Sequence, residues 1–399
     1  MKELFVNTQA ERVAVARQRY FEEGQLPTGV VSDAVFQSWA RCQRNAHDPR
    51  AKVEFQPVTA SRAQLALQKN RLLHSAWQNE AAELDAVLGS TNCSALLTDP
   101  TGVLIGATCS ARANESITPI AHRIGVNFSE ELVGTTAPGI VVRTGQIACV
   151  RGAEHFFESV NAMHCAAAPI RDIHGKIAGV LDISSEGMPF NFDAATVVGF
   201  YASSIENRLL IAQSAEHLIV RFQISPAMLD TPMAGLMGVD MQGRIVWRNP
   251  AAARLLGMSQ DSDQSGLGRV DEILQSSFSE LASSRGDTHS LLRLPNGLLV
   301  HVRCELQVRG AQQQMFALGK PTQDLPPSDG GAALAPPIDV AQAEILVAPV
   351  VESTEPASLR DADVDLIART LKECGGNVSA AARKLRVSRG LIYRRMPSI

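Results

Sequence analysis

The 399-residue sequence predicts a multidomain α+β chain: two antiparallel-sheet domains in series, then a small all-α helix-turn-helix module. Three observations predict it. Short apolar runs recur in pairs around Asp/Gly turns in two separate stretches, which is the pattern of hairpins. Residues 321–357 are rich in Pro, Ala, Asp and Gly, bury too little apolar surface to offset their ordering entropy, and read as a linker. Beyond that stretch the charge inverts. Residues 358–399 carry nine Lys/Arg against four Asp/Glu, a balance of +5, which leaves −9 for residues 1–357 in a chain of net charge −4.

Composition narrows the function. Hydrophobic residues are 45% and charged residues 20%, enough for real cores. Aromatics are only 5%, which argues against a stacking platform for single-stranded nucleic acid. No apolar run is long enough to span a bilayer, and Met1–Asn7 lacks the basic and apolar regions of a signal peptide. The seven cysteines are scattered and never form Cys-x-x-Cys, so neither a disulfide framework nor a zinc ribbon is expected. The expectation is a cytoplasmic protein with no membrane contact, no metal and no cofactor.

Residues 1–73 read as a helical segment. Ser38–Arg44 precedes an Asp48-Pro49 break, and Leu65, Leu72, Trp77, Leu84 and Leu88 recur at roughly helical spacing, which suits a dimer seam or a docked helix. Residues 74–213 form the first sheet domain. Ser94–Thr98 and Val103–Ile105 flank the turn Asp99-Pro100-Thr101-Gly102. Ala166–Ile170 and Ile177–Ile183 flank Asp172–Gly175 as a central hairpin, and Ala194–Ile211 is a helix capped by Asp193. Residues 225–320 form the second. Ala234–Val239 turns through Asp240–Gly243 into Arg244–Trp247. Asn249 caps a helix with Pro250 at its first position and Gly257 past its end. Leu291–Leu294 and Leu298–Cys304 make another hairpin, and Gln314–Leu318 is a candidate last strand.

The terminal module, 358–399, is the most informative stretch. Val364, Ile367, Ala368 and Leu371 make one helix face, and Gly375-Gly376 ends that helix. Asn377 is an N-cap candidate for a second helix with Val378, Ala381, Ala382 and Leu385 inward. Ser388 starts a third, which Pro397 stops. Two helices joined by a short turn, the second one basic, form a helix-turn-helix whose second helix fits the major groove of double-stranded DNA. Arg389 sits where a bidentate pair with guanine forms, and Tyr393 and Arg394 extend the contact. Asn377, Ser379, Lys384 and the cap Ser388 lie where they hold the phosphates and the groove edge.

Glu373–Leu385, followed by Val387-Ser388-Arg389 and Ile392-Tyr393-Arg394, resembles the Fis-type helix-turn-helix that closes bacterial enhancer-binding activators. Ser38–Cys42, Phe128–Ala137, Gly152–Phe156, Ala168–Asp172 and Gly179–Asp182 are similar to the GAF sensor of sigma-54-dependent, acetoin-catabolism-type regulators. Gly243-Arg244-Ile245 and Asn249–Ala252 look like a PAS domain. The resemblance implies GAF-like and PAS-like sensor domains and a homodimer on a pseudo-palindromic site. It departs from the family in one respect. Those proteins carry an ATPase domain between sensor and DNA-binding module, whereas no G-x-x-x-x-G-K-[ST] phosphate loop occurs here.

Arg151, His155, His164 and Cys165 are the polar candidates for a small-molecule or metal pocket, against satisfied core or rim side chains. A redox role for Cys149 with Cys165 competes with inert buried thiols, and a haem ligand at His289 or His301 competes with ordinary sheet histidines. No nucleophile–base constellation is legible, so no catalytic residue is expected. The leading expectation is a DNA-binding transcription regulator. A small-molecule effector controls it without ATP hydrolysis, and it activates RNA polymerase by contact, represses by occlusion, or supports a related full-length activator. The alternatives are an architectural DNA-binding protein whose sensor-like domains only dimerise, and a GAF-type thiol reductase using Cys93, Cys109, Cys149 and Cys165.

Overall fold

The structure is a computed structural model. It describes residues 8–108, 115–259, 266–283 and 290–307, and four helical positions of the terminal module, Thr370, Lys372, Val378 and Lys384.

Four helices precede the first sheet. A capping box of Thr8 and Glu11 starts α1 (Gln9–Glu23), and Gly24 ends it in the left-handed conformation. Ser32 caps α2 (Asp33–Arg44). Tyr20 of α1 and Val35, Trp39 and Cys42 of α2 join one core with Leu96, Val141, Phe156 and Val180. Then come α3 (Ala60–Lys69) and α4 (Arg71–Leu88). The buried face of α4 is Leu73, Ala76, Trp77, Leu84 and Leu88, so this helix docks on its own domain. Leu65 and Leu72, which share the periodicity, are exposed.

The first sheet holds β1 (Cys93–Thr98), β2 (Leu104–Ala107), β3 (Ala148–Arg151), β4 (Met163–Arg171) and β5 (Ile177–Glu186) in the order β2-β1-β5-β4-β3. All four pairings are antiparallel. Between β2 and β3 run three short helices, α5 (Thr118–Ala121), α6 (Glu130–Val133) and α7 (Ala137–Thr144). The β4–β5 hairpin turns as its sequence requires: Asp172 Oδ1 accepts the amides of His174 and Lys176, and Gly175 takes φ +75°. Side chains alternate across the sheet. Ala95, Leu97, Ala166, Ala168, Leu181 and Ile183 share a core with α4 and the long helix α8 (Ala194–Gln213), whereas Leu96, Cys165, Ala167 and Val180 share the core of α1, α2 and α7.

The second sheet holds β6 (Leu218–Gln223), β7 (Gly235–Val239), β8 (Ile245–Arg248), β9 (Ser290–Arg293) and β10 (Leu299–Leu306) in the order β8-β7-β6-β10-β9. Beside it lie α9 (Pro250–Leu256), α10 (Val270–Leu274) and α11 (Phe278–Ser283). Its central strand, β6, lies upstream of residue 225, where the sequence placed the start of this domain. The turn before it, at Ala215-Glu216, carries no Gly, Pro, Asn or Asp, and it follows α8 closely. Its Leu218, Val220 and Phe222 enter the sheet's main core, while Ile219 packs on the other face. The candidate strand Gln314–Leu318, the linker 321–357 and His289 lie outside the described residues.

Helix α8 serves both sheets. Beyond its contacts with the first, Leu210 packs with Ile219, Ala234, Leu236 and Trp247 of the second. The fully buried Trp247 indole donates to Ser214 Oγ at 2.7 Å, and Asn249 Nδ2 donates to Asn207 Oδ1 at 2.8 Å. Asn249 also accepts the amides of Leu236 and Ala252, so one residue caps α9 and ties it to β7 and α8. No described helix is long and apolar enough to cross a membrane.

Candidate functional site

Alternation along two buried strands puts polar groups where a core normally has none. In β5, Leu181 and Ile183 face α4 and α8, so Asp182 and Ser184 point the other way. In β4, Cys165 points the same way. These three line a cavity of about 30 Å³ beneath α5–α7, with Leu96, Phe128, Val133, Val160 and Met163 among its apolar walls and His122 and His155 as further polar members.

The polar groups form a chain. His155 Nδ1 lies 3.0 Å from the carbonyl oxygen of Gly152, which can only accept, so the proton sits on Nδ1 and Nε2 is an acceptor. Cys165 Sγ lies 3.6 Å from that Nε2 and 3.3 Å from Ser184 Oγ. Ser184 Oγ in turn donates to Asp182 Oδ2. The chain leaves Asp182 Oδ1 buried without a partner. His122 contacts Ser94 through Nδ1 at 3.3 Å and also leaves its Nε2 buried without a partner.

Burial sets the charge states. It pushes the Asp182 carboxyl up to about 7, against a smaller opposing pull from the Ser184 hydroxyl. It pulls His155 and His122 down to about 4, so both rings are neutral at physiological pH. It raises the Cys165 thiol well above its ordinary value. Burial likewise holds Cys42 at about 11 and Cys304 at about 12 and raises Cys149, which disfavours the thiolate form at each. No group of three His, Cys, Asp or Glu among the described residues is placed to hold a metal ion.

Two devices fix the cavity walls. The first accounts for the Ser38-Trp39-Ala40-Arg41 sequence. Arg41 forms a two-pronged ion pair with Glu130 at 2.6 and 2.7 Å, and Ser38 Oγ donates to the same carboxylate. Trp39 Nε1 donates to the Glu154 carbonyl at 2.7 Å, and Arg17 donates to the carbonyls of His155 and Phe156, both at 2.5 Å. Helices α1 and α2 therefore hold the segment that carries His155. The second device is Glu186 at the end of β5. It accepts the amides of Ser116, Ile117 and Thr118 and the hydroxyls of Ser116 and Thr118. Desolvation pushes this carboxyl up, but the donors together outweigh it and hold it at about 2. Glu186 thus anchors the start of α5, whose Ala121 and the adjoining Ile117 and His122 form one wall.

Of the sequence candidates, His155 and Cys165 line the cavity. Arg151 and His164 are cross-strand partners one residue out of phase with Val150 and Cys165, so they project from the other face of the sheet; Arg151 is exposed. Sequence reasoning passed over Asp182, Ser184 and His122. The signal for the first two was present: Leu181-Asp182-Ile183-Ser184 places polar residues at period two inside a buried apolar strand. In the terminal module Lys384 is helical and exposed, whereas Asn377, Ser379, Ser388, Arg389, Tyr393 and Arg394 lie outside the described residues.

An α+β body with a cavity between its first sheet and the helices over it precedes a basic helix-turn-helix sequence. Comparison with known proteins finds similar chains among bacterial transcription regulators. Residues 7–199 match the family model "MimR, N-terminal domain", and residues 358–397 match "Bacterial regulatory protein, Fis family". The chain's homologues are transcriptional activators of the acetoin-catabolism and MimR type, and it shares their N-terminal domain and carries a Fis-type helix-turn-helix. It is 30% identical to the acetoin catabolism regulatory protein of Cupriavidus necator, over 58% of this chain and 36% of that protein. It is 28% identical to the acetoin dehydrogenase operon transcriptional activator AcoR of Bacillus subtilis, over 51% and 34%. It is also 28% identical to the propane 2-monooxygenase operon transcriptional activator MimR of Mycolicibacterium smegmatis, over 51% and 33%. The match thus spans about a third of the length of each. Among solved structures, the Escherichia coli DhaR(N)–DhaL complex aligns with a TM-score of 0.43 and 13% identity, over 69% of this chain and 99% of that one.

Proposed function

We propose that this chain is a transcription regulator whose grip on double-stranded DNA responds to a small molecule bound in the cavity of the first sheet domain. The observation that carries the reading is the cavity's polar wall. Asp182 Oδ1 and His122 Nε2 are buried without partners in a chain that also has a Fis-type DNA-binding module. An unpaired buried polar atom costs free energy that a ligand recovers when it supplies the missing hydrogen bond. Occupancy then biases two arrangements of the domain and, through α8, of the residues beyond that helix. The first domain is read as GAF-like and the second as PAS-like. The working unit is a homodimer, and Arg389, Tyr393 and Arg394 read bases while Asn377, Ser379, Lys384 and Ser388 hold the backbone. Regulation proceeds without ATP hydrolysis, through contact with RNA polymerase or a related full-length activator.

The test is selection of genomic fragments by the purified chain, followed by operator retention at increasing salt with and without added metabolites. The expected result is selective retention that a metabolite shifts at least several-fold, that removal of residues 358–399 abolishes, and that proceeds with no phosphate release from ATP. Selective retention indifferent to every metabolite would favour a purely architectural role.

A further inference from the structure

We propose that Arg221 of β6 and Arg208 of α8 form a clamp for a small, singly charged carboxylate where α8 meets the second sheet. The site lies outside the cavity of the first domain, and it stands or falls independently of the effector reading above.

The strand places the first arginine. Val220 and Phe222 enter the main core of the second sheet, so Arg221 takes the opposite face with Ile219, which packs against Leu210 of α8 and Trp247. Its cross-strand neighbours on that face are the fully buried Leu236 of β7 and Arg303 of β10. Two guanidinium groups directly opposite each other repel. Arg303 is compensated, because both its terminal nitrogens donate to the Asp230 carboxylate. Arg221 is not. It is half-buried, and among the described residues it makes no hydrogen bond and no ion pair. Burial pulls its pKa below the ordinary value. Glu305 and Asp230 oppose that shift without bonding to the group, and Arg303 and Arg208 add to it. A guanidinium does not shed its proton in a protein, so the charge persists, with a desolvation cost that an anion offsets.

Helix α8 supplies the second arginine. Arg208 follows Asn207, which binds the Pro232 carbonyl and Asn249 and so fixes this part of the helix to the second domain. Its Nε donates to Glu80 of α4, while its two terminal nitrogens donate to nothing among the described residues. The side chain is 51% exposed, which leaves the site open to solutes. Two open N–H forks of like charge thus face one place from different elements. A carboxylate matches such forks with paired N–H···O bonds. Its single charge also suits the surroundings. Glu80, Asp230 and Glu305 already stand around the three arginines, so a phosphate dianion meets more repulsion than a monoanion does. A carboxylate between the two guanidinium groups fastens α8 to β6.

Calorimetric titration of the full chain with sodium acetate, sodium phosphate and sodium chloride at matched ionic strength tests the clamp. Saturable acetate binding is expected, tighter than that of phosphate or chloride. Arg221→Gln and Arg208→Gln should each weaken it about tenfold, the size of one charge-assisted hydrogen bond. Arg221→Lys keeps the charge without the fork and should bind little better than Arg221→Gln. Arg293→Gln, at an exposed position of β9, should bind acetate as the native chain does. Acetate should also raise the urea denaturation midpoint of the native chain and leave that of Arg221→Gln where it is. The clamp is overturned if acetate does not saturate, if phosphate or chloride binds as tightly, or if Arg221→Gln binds acetate undiminished. Full binding by Arg221→Lys overturns it as well, since a diffuse positive field would then suffice. Should Arg221→Gln fail to fold, the native panel of anions and Arg208→Gln, at a half-exposed helical position, still decide the matter.

Discussion

Asp182 shows what one side chain contributes against the grain of the fold. The ordinary value for its carboxyl is 3.8, and burial holds it near 7. Between those limits the folded chain keeps a proton that the unfolded chain releases. This group therefore erodes stability as pH climbs from about 4 to 7, and the loss levels off above that. Replacing it by Asn removes the effect. Relative to the native chain, Asp182→Asn should gain about 2–3 kcal/mol between pH 5 and pH 8, read from urea denaturation at the two values. The histidines push the other way, losing stability as pH falls from 6.5 toward 4, but they are common to both proteins and cancel in the difference. A flat difference would mean that the carboxyl ionises as it does in a free chain. The same scale separates two residues of the terminal module. Arg389→Ala should relax selectivity at one base pair per half-site by about 1–3 kcal/mol, and Lys384→Ala should weaken all sequences alike and flatten the salt slope, as competition binding assays would record. Only part of the cavity's lining was legible in the sequence: His155 and Cys165 stood out as polar residues in an apolar stretch, but Arg151 and His164, singled out with them, project from the other face. Asp182 did not stand out, because a carboxylate that near a hairpin reads as solvated until strand register turns it inward.

At the scale of elements, two tryptophans lie against two glycines. Trp77 of α4 covers Gly106 in β2, and Trp247 of β8 covers its cross-strand partner Gly238 in β7. A Cβ at Gly238 would sit 2.1 Å from Trp247 Nε1, so the ring must leave its place and its bond to Ser214. Gly238→Ala should cost about 2–3 kcal/mol, measured as a lower denaturation midpoint at unchanged slope. Hairpins, caps and the helix after Asp193 were all readable from local chemistry, because Asp, Asn, Gly and Pro act within a few residues of where they stand. β6 was not. Its identity as a central strand depends on β7 and on β10, which lies some eighty residues away, and no local rule reports a partner at that distance.

For residues 8–307 as a whole, α8 joins the two sheets through Leu210, Asn207 and Ser214. A helix that completes two cores makes their loss cooperative. Tryptophan fluorescence, reporting on Trp39, Trp77 and Trp247, and far-ultraviolet circular dichroism should therefore trace one coincident unfolding transition. The double variant Asn207→Ala/Ser214→Ala should split it into two. Two separate transitions in the native chain would show that α8 merely connects the domains.

The two sheets place their middle strands at opposite ends of their own sequence. β5 is the last strand of the first sheet and β6 is the first strand of the second, with α8 between them. On the ribosome this reverses the order of events. The first domain waits, with only its β1–β2 and β3–β4 pairs made, for a keystone that emerges last. The second starts from its keystone and leaves one side of it bare until Leu299–Leu306 has been translated. A pause in translation between those points would strand an unpaired edge, and there a chaperone would meet the nascent chain.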